Sequence, residues 1–172
     1  LLIALKKDPK EYRAHLMLAG YYLANVGHFR LADQYAKRAE QLFEEKYGHP
    51  PFTDLRRRYE HQNILYYLAQ TQLNLDHYTE ALGVLDRFSS YGYYDEWYAG
   101  TRAWILMKLG RISEAIKVAQ LGYQFISTDG EKGQLLNMLG ILLSMNHQRE
   151  ASIDIFKQAI ARELESDKGQ PA

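Results

Sequence analysis

The side chains able to do chemistry in this 172-residue chain are six histidines and 21 carboxylates; there is no cysteine. A thiol nucleophile, a disulfide scaffold and a Cys-based zinc site are therefore excluded. The histidines are scattered. His28, His77 and His147 fall at turns between helical stretches, His49 lies in a Pro-rich loop, and His15 and His61 lie on separate helices. None has a partner at metal-ligand spacing, so each reads as an ordinary turn or surface residue, and no metal ligand is assigned. Glu44-Glu45 reads as part of a solvated, charged helix face. The chain has no H-E-x-x-H, no G-x-S-x-G, no phosphate-cradling G-x-x-x-x-G-K and no dinucleotide glycine fingerprint. The expectation is a non-enzyme with no catalytic residue and no cofactor.

The chemistry left is recognition. Fourteen tyrosines, two tryptophans and six phenylalanines are the unusual feature of the composition. Aromatic rings bury large areas with little rotamer freedom to lose, and the tyrosine hydroxyl adds a polar handle. The densest cluster is Tyr91-Gly92-Tyr93-Tyr94-Asp95-Glu96-Trp97-Tyr98. It reads first as a packed connection and second as an interface hot spot. Arg56-Arg57-Arg58 could hold phosphate or an acidic partner, but it falls near a helix N-terminus, where the dipole disfavours cations. A solvated helix face with Glu60 nearby is the preferred reading. The formal net charge is zero, and there is no long basic stripe, so neither nucleic acid nor an anionic membrane surface is an expected partner.

The elements that must carry these residues are helices. In His15–Val26, Leu16, Ala19, Gly20 and Leu23 recur at three- and four-residue steps, which makes one apolar stripe. Similar stripes occupy Ile64–Leu75, Ala99–Leu109, Ala115–Phe125, Leu135–Leu143 and Ile153–Leu164. No Val/Ile/Thr alternation marks a strand. The pattern predicts eight main helices after a leading helical remnant. Asp8-Pro9-Lys10-Glu11 offers an N-cap, a Pro in the first turn and a reciprocal glutamate, and Thr53 is placed to cap the helix that follows residues 48–51. Gly48-His49-Pro50-Pro51 is the firmest break, because two prolines cannot continue a helix. No apolar run approaches the roughly 20 residues of a membrane helix.

The helices repeat in pairs. A small residue stands at Gly20, Ala69, Ala103 and Gly140. Seven residues later comes a turn position, at Gly27, Asp76, Gly110 and His147. Twelve residues later stands another small residue, at Ala32, Ala81, Ala115 and Ser152, followed by Ala36, Leu85, Ala119 and Phe156, then by Ala39, Phe88, Gly122 and Ala159. Successive units are offset by 49, 34 and 37 residues. Two antiparallel helices approach closely only where small residues let their backbones meet, and one pair cannot bury both its faces, so the pairs must stack.

With Leu68-Ala69 through Asp76-His77-Tyr78-Thr79-Glu80-Ala81-Leu82, Leu109-Gly110-Arg111-Ile112-Ser113-Glu114-Ala115, and Leu139-Gly140 with Leu143, the chain resembles the tetratricopeptide repeat (TPR), whose period is about 34 residues. Ala4-Leu5-Lys6-Lys7-Asp8-Pro9 looks like the end of a preceding unit, and Glu44-Glu45-Lys46-Tyr47-Gly48-His49-Pro50 resembles the longer repeats of kinesin light chains. Departures are Gln72, Arg102 and Arg149 at positions where apolar or aromatic residues are usual, and about fifteen extra residues between the first two units. The resemblance implies an all-α, right-handed solenoid of antiparallel helix pairs. It also implies that the first helix of each pair lines a concave groove. Carried over position by position, that groove holds Met17, Tyr21 and Asn25, then Asn63, Tyr66, Gln70 and Asn74, then Trp97, Trp104 and Lys108, then Asn137 and Ile141; Ala14 occupies an equivalent position. Such a surface is aromatic, amide-bearing and nearly uncharged. Packing against adjacent helices is the competing reading for Tyr21, Tyr66, Trp97 and Trp104.

The organisation expected is the end of a preceding repeat helix (1–9), repeat 1 with an extended second helix (10–47), a loop (48–53), repeats 2, 3 and 4 (54–91, 92–127, 128–165) and a disordered tail (166–172). The function expected is a scaffold binding a peptide or helical segment of a partner protein. Other readings are self-assembly through exposed solenoid ends, a secretion or export chaperone, and a docking arm for an enzyme elsewhere in a longer chain. The absence of an initiator Met gives the chain the look of a fragment. Cytoplasm and bacterial periplasm both fit its composition.

Overall fold

The computed structural model describes residues 2–92, 95–125 and 129–168. Among these residues there are helices and turns and no strand. They form two compact units, divided after Gly92.

The first unit contains α1 (Leu2–Lys7), α2 (Tyr12–Tyr21) running into a π-helical turn (Tyr22–Val26), α3 (Phe29–Tyr47), α4 (Leu55–Asn74) and α5 (Tyr78–Ser89). Each helix packs on the next, and α2 also touches α4. The second unit contains α6 (Glu96–Lys108), α7 (Ile112–Phe125), α8 (Asp129–Met145) and α9 (Arg149–Lys168). Here too neighbours pack in sequence, and α6 touches α8. Contact between first helices of successive pairs is what stacking requires, because each pair leaves one face to be covered. The helices are those the periodicity predicts, including the leading remnant.

The repeat register reappears in the backbone. All four expected turn positions adopt the left-handed conformation: Gly27 (φ 67°), Asp76 (φ 59°), Gly110 (φ 73°) and His147 (φ 60°). Glycine reaches this region without a Cβ clash, and Asp and His are among the residues enriched there. The next residue's N–H then closes the helix end, from His77 to Gln72, Arg111 to Leu106 and Gln148 to Leu143. In the first pair the bond runs from His28 to Tyr22, one residue wider, across the π-helical turn.

The small residues sit at the helix crossings. Ala32, Ala36, Ala39, Ala69, Ala81, Ala99, Ala103, Ala115 and Ala119 are fully buried. A Cβ built on Gly122 would lie 2.4 Å from the Cβ of Ala99, and one on Gly140 would lie 2.7 Å from the Phe156 ring. The Ser152 hydroxyl donates to the Gly140 carbonyl at 2.8 Å, which satisfies a buried polar group inside the crossing of α8 and α9. Gln72, a departure from the repeat pattern, is buried and fully engaged. Its amide donates to Asp33 Oδ1, and its carbonyl oxygen lies 2.9 Å from His77 Nδ1.

Three local expectations change. Glu11 caps α2, accepting from the Arg13 N–H at 3.1 Å, while Asp8 accepts from the Lys10 N–H in the turn before it, so Pro9 precedes the helix. Asp54 caps α4, accepting from the Arg57 N–H, and Thr53 does not. A carboxylate one residue along offers a stronger acceptor to the same free N–H groups. The segment read as a disordered tail from 166 is helical as far as Lys168; the rest of it, 169–172, lies outside the described residues, as do Tyr93, Tyr94 and Thr128.

Candidate functional site

The candidate recognition residues lie on α2 with its π-helical turn and on α4 in the first unit, and on α6 and α8 in the second. None of the twelve is buried. Met17 (61% exposed), Tyr21 (48%) and Ile141 (46%) are the large apolar groups most open to solvent, and Asn25, Asn74, Lys108 and Asn137 are exposed as well. Asn63, Tyr66, Gln70, Trp97 and Trp104 are half-buried, with part of each side chain given to helix packing. Ala14, at the equivalent position in the first pair, is buried and leaves that surface.

Local contacts fix several of these side chains. Tyr66 meets Tyr67 edge-on at 5.3 Å, and Tyr21 meets Tyr22 edge-on at 5.5 Å. Lys108 Nζ lies 4.9 Å from the centre of the Trp104 ring, one helical turn away, in a cation–π contact. Asn74 donates from Nδ2 to the Gln70 carbonyl at 2.7 Å, so its amide serves the end of α4. Lys108 is the one charged residue of the twelve.

The aromatic cluster at 91–98 divides. Tyr91 is buried in the first unit, and in the second Tyr98 is buried and Trp97 half-buried. Of the three arginines, Arg56 reaches Glu60, Arg57 covers the Tyr47 ring at 5.0 Å, and Arg58 donates to the Tyr91 carbonyl at 2.5 Å while covering that ring. Glu60 also takes Arg13 at 2.5 Å and the Tyr12 hydroxyl at 2.9 Å. Burial alone would raise the Glu60 pKa, but bonds from Arg13 and Tyr12 hold it below the ordinary glutamate value. The Tyr12 phenol is raised in turn, first by burial and then by Glu60.

The extra residues between the first two pairs build something the periodicity does not reveal. Phe43, fully buried, gathers Tyr12, Tyr47, Phe52 and His61 around it at ring separations of 4.9–5.7 Å. His61 is 1% exposed, which overturns its reading as a turn or surface residue. It faces Glu40 and Glu44 of α3, and the ligand atoms of the three lie within 4.8 Å of one another. Burial raises the Glu40 carboxyl, but contact with His61 and the Arg87 guanidinium brings it below its ordinary value. The sequence signal was the four-residue step from Glu40 to Glu44, which puts both on one helix face. The histidine comes from the next helix, and no local spacing announces it.

No protein-family model matches the chain, and no curated protein matches it. Solved structures do. The crystal structure of MamA superposes with a TM-score of 0.77 at 17% identity, covering 96% of this chain and 85% of that one. The Podosopora anserina putative kinesin light chain, with nearly identical TPR-like repeats, gives 0.76 at 14% identity over 97% and 84%. YrrB, described as a TPR protein with an unusual peptide-binding site, gives 0.69 at 12% identity over 94% and 73%. At these identities the likeness establishes the fold, and that fold is the all-α tetratricopeptide-repeat arrangement of stacked helix pairs.

Proposed function

We propose that the chain is a non-enzymatic scaffold that holds extended or helical segments of a partner protein, against the faces of α2 and α4 in the first unit and against those of α6 and α8 in the second. The supporting observation is the division of labour along these first helices. Small residues such as Ala69 and Ala103 are buried at the crossings, while the next position along carries Gln70 and Trp104, and the position three before Ala69 carries Tyr66, all half-buried. Tyr66, Trp104 and Tyr21 supply rigid area, and Asn63, Gln70 and Asn137 supply donors and acceptors for a peptide backbone. With one cation among twelve residues, the partner segment needs no strong charge of its own. YrrB's peptide-binding site supports a peptide as the ligand class. A preformed surface loses little entropy on binding. Trp104→Ala and Tyr66→Ala are expected to weaken binding to a purified partner by tenfold or more, with helical content unchanged by circular dichroism. Unaltered affinity in both would end this reading.

A second reading is association of the chain with a copy of itself. It is favoured by α9, whose Ile153, Ile160 and Leu164 are 44–58% exposed along one face. Concentration-dependent light scattering that disappears in Ile160→Lys is its signature. A monomer at all concentrations contradicts it.

A further inference from the structure

Glu40, Glu44 and His61 bring their ligand atoms within 4.8 Å of one another, with the histidine buried and the two glutamates half-buried. Glu40 and Glu44 stand one turn apart on α3, and His61 reaches them from α4. The imidazole is clamped on several sides. Phe43 stacks on it at 5.7 Å with planes 14° apart, while Phe52 and Tyr91 press edge-on at 5.3 and 5.7 Å. Its Nδ1 lies 2.7 Å from the Tyr91 hydroxyl oxygen, a bond that sets the ring's orientation. Its Nε2 points to the two carboxylates, buried and without a hydrogen-bond partner among the described residues. The nearest Glu40 oxygen is 3.5 Å away, long for a hydrogen bond. A buried ring nitrogen that makes no close hydrogen bond and lies beside two carboxylates offers a place for a cation to bind all three.

We propose that Glu40, Glu44 and His61 form a binding site for a divalent transition-metal ion of the Zn²⁺ class, joining α3 to α4. One imidazole and two carboxylates match the donor preferences of Zn²⁺, and three protein ligands leave a fourth position for water. Bonds of about 2.0–2.2 Å in a tetrahedron need donor atoms roughly 3.3–3.5 Å apart. The present spread, up to 4.8 Å, closes by side-chain rotation of the two half-buried glutamates. In the tautomer protonated at Nδ1, the ring donates to the Tyr91 hydroxyl oxygen and the lone pair of Nε2 is directed at the ion, the outer-sphere arrangement typical of a ligating histidine. His49 Nδ1, 2.9 Å from Glu44 Oε2, positions the second carboxylate. Arg87 contacts Glu40 and balances its charge in the metal-free protein. Its side chain is 42% exposed, so an incoming divalent ion can displace it to solvent.

The test is calorimetric titration of Zn²⁺ into the metal-free 172-residue chain, repeated with Co²⁺ to read its visible ligand-field absorption. One saturable site is expected. Glu44→Gln and His61→Asn each weaken it by tenfold or more, and Arg87→Ala tightens it severalfold by removing the competing cation. Because His61→Asn alters a packed position, Glu44→Gln, at the half-buried rim, carries the decision if that variant melts early. The proposal is overturned if the wild-type chain shows no saturable Zn²⁺ binding at micromolar concentrations. Binding that survives both substitutions, or that is lost only in His49→Asn, overturns it equally, since either would place the ion at the surface.

Discussion

Replacing Gly122 by alanine tests the packing argument at its tightest point. A Cβ there would fall 2.4 Å from the Ala99 Cβ and 3.0 Å from Leu135 Cδ2. Carbon atoms pack at about 3.5–4.0 Å, so α7 must move from α6 by about 1 Å or more. Ala99 is fully buried and has no rotamer to change. Overpacking of this kind costs about 1–3 kcal/mol, and a contact with no flexible partner belongs at the upper end. Against it stands the gain of about 1 kcal/mol for replacing Gly by Ala within a helix. The net expectation is destabilisation by about 2 kcal/mol. Gly83, inside α5 with nothing within 4 Å of its built Cβ, is the control. Gly83→Ala keeps the propensity gain without the clash and is expected to stabilise by about 1 kcal/mol. At about 2–4 °C per kcal/mol for a chain of this size, thermal melts followed by far-UV circular dichroism should separate the variants by several degrees, in opposite directions from wild type. Equal stabilisation by both would refute the claim that the glycine admits the neighbouring helix.

Two further outcomes follow from the same geometry. Because the folded-state pKa of Glu60 lies below the ordinary value of 4.5, its contribution is complete above about pH 4.5 and is lost as pH falls through the folded pKa; urea titrations should show Glu60→Gln less stable than wild type at neutral pH, with the gap closing in acid. Gly110→Ala places a Cβ at φ 73° and should destabilise by about 1–2 kcal/mol in the same titration, whereas Gly110→Asn should cost less.

Much of the fold was legible because it rests on features that recur. The small residues, the turn positions seven residues later and the second small residues twelve residues later each appear four times, and every turn position is left-handed in the structure. Capping was less legible, since Thr53 and Asp54 both carry a suitable oxygen, and only backbone geometry decides which one accepts. Non-repeating parts were the least legible. His61 lies in the extended start of α4, outside the register, and the residues that make it buried arrive from α3, the 48–53 loop and Tyr91. Gln72 looked like an interruption of the pattern because its partners Asp33 and His77 lie on other elements. On the proposed recognition surface Ala14 is buried and Asn63, Tyr66, Gln70, Trp97 and Trp104 are half-buried, because periodicity does not say how far a neighbouring helix covers a face. A partner's identity leaves no such periodic trace.

The most direct measurement is the affinity of a purified partner segment for the wild-type chain, Tyr66→Ala, Trp104→Ala and Gln120→Ala, by isothermal titration calorimetry. Gln120 is exposed on α7, a second helix of its pair, away from the proposed surface. The scaffold account predicts a loss of tenfold or more, about 1.4 kcal/mol, for each aromatic substitution and none for Gln120→Ala. Full affinity in both aromatic variants, with loss in Gln120→Ala, would contradict it.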